Sequence, residues 1–188
     1  ATSGAGPRVR NLPARSVNSP ARAARATRAV SLRGDAIRPG TQALVELVLS
    51  AAEGDENAVG CTVEFDPAVL SNPQISVTNA FSGRTLIPNT TQAEAGRVGI
   101  LFSMGFGGGT FDTGEHAFVQ ITFDVAGDVV ADTFLGFGDA PVVREIADEH
   151  GEGVDAVFNG VTLPMVTAGL TVAPVRAFTV TVAGKEAS

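Results

Sequence analysis

The run Asp148–Glu149–His150–Gly151–Glu152, with Asp155 just beyond it, is the densest set of side chains in this chain that could do chemistry. Carboxylate oxygens grouped at a glycine turn are what a calcium ion takes as ligands, so Asp148, Glu152 and Asp155 are the candidate calcium site. The run lacks the D-x-[DN]-x-[DN]-G spacing of a helical calcium loop, and a solvated turn is the competing reading. Asp55–Glu56–Asn57 is a shorter acidic loop of the same kind. His116 and His150 are the only histidines, stand far apart and have no cysteine near them, which argues against zinc.

Other reactive patterns are weaker. GFGGGTFDTGE is rich in glycine but carries no G-K-[ST] and lies between strand-like runs, so it reads as a hairpin tip and not as a phosphate cradle. No serine stands in a nucleophile elbow. Acids are many, yet no spacing selects a pair for glycoside hydrolysis. Asn89–Thr90–Thr91 matches the glycosylation acceptor pattern, which is expected to be a chance match. The expectation is a protein that is not an enzyme and needs no cofactor, calcium apart.

Charge gives a different lead. Arg8, Arg10, Arg15, Arg22, Arg25, Arg28 and Arg33 all precede the first acid, Asp35. Of 13 basic residues, six then remain to face all 20 acids, so residues 35–188 carry 6 − 20 = −14. Such asymmetry marks an interaction tail. Nucleic acid is a poor partner, because the acidic body repels phosphate. A plain linker is the bland alternative. The acidic body of another copy is the natural electrostatic partner, and head-to-tail contacts of that kind build open filaments.

The 188 residues are 44% hydrophobic, enough for one domain with a sizeable core that could hold these groups. No apolar run reaches the 18 or so residues of a membrane helix. The start ATSGAG is small-residue sequence of the sort signal cleavage leaves, so a secreted or surface protein with its leader removed is expected. The single cysteine, Cys61, can form no internal disulfide and alternates with Val63 and Phe65 as a core residue. With no Trp and no Tyr, a stacking platform for sugars or bases is missing, and most of the 11 Phe fall at strand positions.

Period-two patterning runs through the chain from about residue 28. Ala43, Val45, Leu47 and Leu49 share one face of TQALVELVLS; Ala117, Val119, Ile121, Phe123 and Val125 share one face of HAFVQITFDV. CTVEF, ISVTNAF, RVGILFSM, TFLGFGD, AVFNGVTL, GLTVAPV and AFTVTVAG continue the series. Gly- and Pro-rich turns separate them. The chain is therefore expected to be all-β: a two-sheet antiparallel jelly-roll sandwich of about nine strands. A basic extended arm covers residues 1–27, with a short helix expected at Ser19–Arg28; the sandwich covers 28–164, and 165–188 adds a further strand.

The order RAVSLRGDAIRPGTQALVELVLSAAEGDENAVGCTVEFDPAVL resembles the opening of a cohesin-like domain, with Gly40, Gly60, Phe65, Asp66, Pro67 and Leu70 at matching places. AGRVGILFSM, TGEHAFVQITFDV and FGDAPVVREIADEHGEGVDAVFNGVTL are similar to later pieces of bacterial extracellular cohesin-like modules. The resemblance covers about residues 28–164 and implies a nine-stranded jelly roll that is secreted or surface-attached and works by binding. Cohesins of cellulosomes bind dockerins across one sheet face. This chain departs from the pattern at both ends, by its arginine arm and by the extension after Leu163.

The expected function is a secreted structural protein that self-assembles through its ends into an extracellular filament or surface layer. Arg22, Arg25, Arg28 and Arg33 would pair with a neighbour's acids, and Phe178, Val180 and Val182 would complete its sheet edge by strand addition. The alternative is a monomeric cohesin-like module that binds a dockerin-like protein or a polysaccharide.

Overall fold

The computed structural model describes residues 28–105 and 109–166. Two sheets face each other. The first contains β1 (Arg28–Gly34), β2 (Gln42–Ala51), β4 (Leu70–Val77), β7 (Gly114–Val125) and β11 (Ala156–Asn159), in the order β11-β1-β2-β7-β4. The second contains β3 (Glu56–Glu64), β5 (Thr85–Asn89), β6 (Arg97–Ser103), β9 (Glu145–Asp148) and β10 (Gly153–Val154), in the order β10-β9-β3-β6-β5. Here β8 (Thr133–Gly138) pairs with β3 and also with β12 (Val161–Leu163). All pairings are antiparallel except β1 with β11. The all-β sandwich expected from the alternation is present.

Alternation makes the core, because successive side chains of a strand point to opposite faces. Val45, Leu47 and Leu49 from one sheet meet Val59, Cys61, Val63, Val98, Ile100 and Phe102 from the other, all fully buried. Phe102, Phe111 and Phe118 are buried and pack with ring centroids 5.0–5.7 Å apart. Apolar burial at about 25 cal/mol per Å² makes such rings large contributors to stability.

The strands number twelve among the described residues, against about nine expected. The turn-like sequence around Pro88 pairs as β5, the acidic segment EIADEHGEGV folds into the β9–β10 hairpin, and Gly160 splits AVFNGVTL into β11 and β12 as the chain crosses between sheets. The helix expected up to Arg28 is corrected at its one described residue, which begins β1; Ser19–Thr27 lie outside the described residues, as do GLTVAPV and AFTVTVAG.

Two features of this frame bear on function. The edge strands β4 and β5 each carry a proline, Pro73 and Pro88, which cannot donate to a further strand, and β4 also bulges between Ser71 and Gln74. The described chain also enters and leaves at opposite poles. Arg28 begins β1 beside the β2–β3 turn, while Val166 donates its N–H to Ile37 O (2.9 Å) past the other end of β1. Seven residues of strand separate these poles by about 20 Å.

Candidate functional site

The β3 strand has two different neighbours on the same edge. Its first half pairs with β9 and its second half with β8. Between β8 and β9 the chain leaves the sheet, and residues 139–144 fold back over the sheet's outer face. Thr62 straps this loop down. Its Oγ1–H donates to Val142 O (2.7 Å), and it accepts the Val142 N–H (2.9 Å). Two glycines make room beneath: a Cβ on Gly99 would come within 2.7 Å of Val142 Cγ2, and one on Gly60 within 3.1 Å of Val143 O.

The loop is closed by a two-pronged ion pair. Arg144 donates from Nε to Asp139 Oδ1 (2.9 Å) and from Nη2 to Oδ2 (2.8 Å). These hydrogen bonds, with one from the Arg144 backbone, draw the Asp139 carboxyl down to about 2. Val143, which is 61% exposed, rides on top of the loop as an apolar ridge.

Beside the ridge the register lays outward-facing residues in two rows across four strands. One row is Ile87–Leu101–Gly60–Glu145, the other Thr85–Ser103–Ala58–Ala147. Small residues at Ala58, Gly60 and Ala147 make the floor shallow. Ile87 and Leu101 stand from it, 55% and 42% exposed although directly opposed on adjacent strands. The result is a groove of about 510 Å³ that ends at the 148–151 turn, joined through Ala58, Leu101 and Ala147 to a smaller hollow of about 180 Å³ under the ridge. Large side chains kept exposed beside a preformed groove are a feature of binding surfaces.

In the candidate calcium loop, Asp148 has hydrogen-bond partners of its own. Asp148 Oδ1 accepts the backbone N–H of His150 (2.8 Å) and of Glu152 (2.9 Å), so it closes the β9–β10 turn itself. Those hydrogen bonds, the Glu152 one foremost, hold Asp148 below the usual carboxylate range. Among the described residues, no three His, Cys, Asp or Glu side chains converge to hold a metal, so Asp148, Glu152 and Asp155 do not form the expected cluster.

The candidate assembly residues divide differently. Arg22, Arg25, Phe178, Val180 and Val182 lie outside the described residues. Arg33, exposed, donates from Nη2 to Glu46 Oε2 on the adjacent strand (2.8 Å). Arg28 is not available to a neighbour: it is 8% exposed and donates from Nε to Glu56 Oε1 (2.6 Å) and from Nη2 to Asp55 Oδ1 (2.9 Å) of its own chain. Glu56 is fully buried and also accepts N–H groups from Ala52 (2.9 Å) and Gly54 (3.0 Å). Burial pushes its carboxyl up, but the hydrogen bonds from the Ala52 turn and from Arg28 outweigh this and lower it. The strand pattern drew Arg28 into the sandwich, where a buried acid compensates its charge.

Sequence reasoning missed the groove. Its only local signal was that ILFS and TLIP carry apolar residues on both faces, Leu101 and Ile87 being the outward ones.

No known family profile and no curated protein matches this chain. Solved structures do. A cohesin from a type I cohesin–dockerin complex of Clostridium thermocellum matches with a TM-score of 0.65 at 14% identity, over 75% of this chain and 100% of that one. The seventh ScaB type I cohesin of Pseudobacteroides cellulosolvens matches with a TM-score of 0.62 at 14% identity, over 78% of this chain and 97% of that one. A non-cellulosomal cohesin from the hyperthermophilic archaeon Archaeoglobus fulgidus matches at 0.58 and 14% identity, over 77% and 94%.

Proposed function

From the cohesin fold that this chain carries, we propose that it is a non-enzymatic extracellular binding module whose protein partner docks on the outer face of the β5–β6–β3–β9 sheet. The observation that carries the proposal is the exposed pair Ile87 and Leu101 set in an apolar groove beside the Val143 ridge. Cohesins of the same fold have been solved bound to dockerins, so a dockerin-like module is the partner class. Such a partner would lay an apolar stripe into the groove and pair polar groups with the rim. With no aromatic platform on this face, a polysaccharide is the weaker fit.

The test compares capture of secreted proteins by the full chain and by two variants. Leu101→Arg joined to Ile87→Arg puts unpaired charge in the groove and is expected to weaken the partner at least about tenfold, the loss that a buried unpaired charge brings. Leu44→Arg, on the opposite sheet, is the control and is expected to bind as the wild type does. Equal capture by all three would overturn the assignment of the face.

A second reading is assembly of copies head to tail into an extracellular filament or surface layer. It draws support from the described residues beginning, at Arg28, and ending, at Val166, at opposite poles, as an open heterologous contact needs. Prolines in β4 and β5 speak against strand addition at those edges. Negative-stain imaging of the full chain tests it: filaments support assembly, and single particles at high concentration refute it.

A further inference from the structure

The groove ends at an acidic pole, and the arginine-rich arm is attached at that same pole. Arg28, the first described residue, pairs in register with Ala156, so the chain before it enters next to Asp155. On its other side lies the β2–β3 turn with Glu53 and Asp55. Glu56, which Arg28 holds, is opposite Asp148 in the β3–β9 ladder, and the 148–152 turn that follows carries Glu149 and Glu152. Among the described residues, no cation stands within ion-pair distance of Glu152 or Asp155. Residues 1–27 hold five arginines and no acid.

We infer that this arm binds back across the acidic pole of its own chain and lies in the apolar groove between Ala147 and Ile87. The inference rests on the groove being the binding face. Three features fit the arm to it. Arg25 and Arg22 stand three and six residues before Arg28, within about 10 and 20 Å of extended chain, and that chain starts beside Asp155. Between the arginines the arm carries Pro20, Ala21, Ala23, Ala24 and Ala26, small enough for a floor made of Ala58 and Ala147. Arginine stems can cover Leu101 and Ile87 while their guanidinium groups stay in water at the rim.

Tethering decides in favour of the chain's own groove over a neighbour's. A segment attached at the edge of its site is present there at an effective concentration in the millimolar range, which a second copy does not match in dilute solution. The partner of the binding face must therefore displace the arm, and screening of the rim charges by salt must ease that displacement.

The experiment is a cross-link in the full chain, needing no partner. Ala21→Cys and Ala147→Cys are joined by a short bismaleimide. Cys61 is fully buried, with its thiol pushed up to about 12, and does not compete for the reagent. The expected result is an intramolecular cross-link about tenfold above that of Ala21→Cys with Gln74→Cys on the far sheet, independent of protein concentration and falling steeply towards about 0.5 M salt. Replacing Glu149, Glu152 and Asp155 by their amides should reduce it in the same way. A yield equal to the Gln74 control, or covalent dimers that grow with protein concentration, would overturn the inference. Loss of partner capture by the Ile87→Arg, Leu101→Arg double variant, with no cross-link in the Ala21→Cys, Ala147→Cys protein, would separate the two readings, since the face would stand and the arm would not.

Discussion

Glu56→Gln tests whether the buried charge pair at the root of β1 is held as described. Wild-type Glu56 is fully buried and is satisfied by Arg28 Nε and the Ala52 and Gly54 amides. The amide keeps the shape, but it places an NH₂ group among donors and removes the charge that compensates Arg28. Breaking a buried pair by removing one partner costs about 3–5 kcal/mol, and the lower end applies here because Asp55 and Glu53 still reach Arg28. A loss of about 3 kcal/mol lowers the Tm of a domain of this size by roughly 6–12 °C. The pH dependence has a definite sign. The folded-state pKa of Glu56 lies below its unfolded value of 4.5, so the contribution is complete above that pH and is lost as pH falls through the folded pKa. Gln does not titrate, so the gap between wild type and variant should be full at pH 7 and close under acid conditions. Urea unfolding of both proteins from pH 7 to pH 3 measures it. A gap under about 1 kcal/mol at pH 7, or one constant down to the lowest pH, would refute the account.

Other outcomes follow from the same structure. Thr62→Val removes both hydrogen bonds that strap Val142 and should cost about 2 kcal/mol by urea unfolding, with partner affinity falling as the ridge loosens. Gly99→Ala puts a methyl against Val142 and Pro141 and should cost about 1–3 kcal/mol, read in the same assay. Cys61 should resist a thiol reagent in the native protein and react fully in denaturant, since it is buried and its thiol sits at about 12. Adding millimolar calcium or a chelator should leave the Tm unchanged by calorimetry, because Asp148 is committed to its own turn.

Much of the sandwich was legible because side-chain alternation is a local property of a strand. Val45, Leu47, Leu49, Cys61 and Val63 were all assigned to the core from spacing alone, and all are fully buried. Where alternation broke, the reason was a partner strand. A register shift at Leu47/Val48 against β7 turns Phe118 inward beside Val119, so that two consecutive residues of HAFVQITFDV are buried.

Local residue type and spacing specify the all-β class, most inward residues of the long strands and the division of charge between arm and body. The roles of Arg28, Glu56, Leu101 and Ile87 come from long-range packing instead. Arg28 and Glu56 are 28 positions apart, and their pairing exists only because two sheets stack. Leu101 and Ile87 become a site because the register opposes them, and because Thr62, Gly60 and Gly99 let a distant loop dock beside them. Such contacts depend on strand order and register, which packing across the whole sandwich selects and a local pattern does not encode.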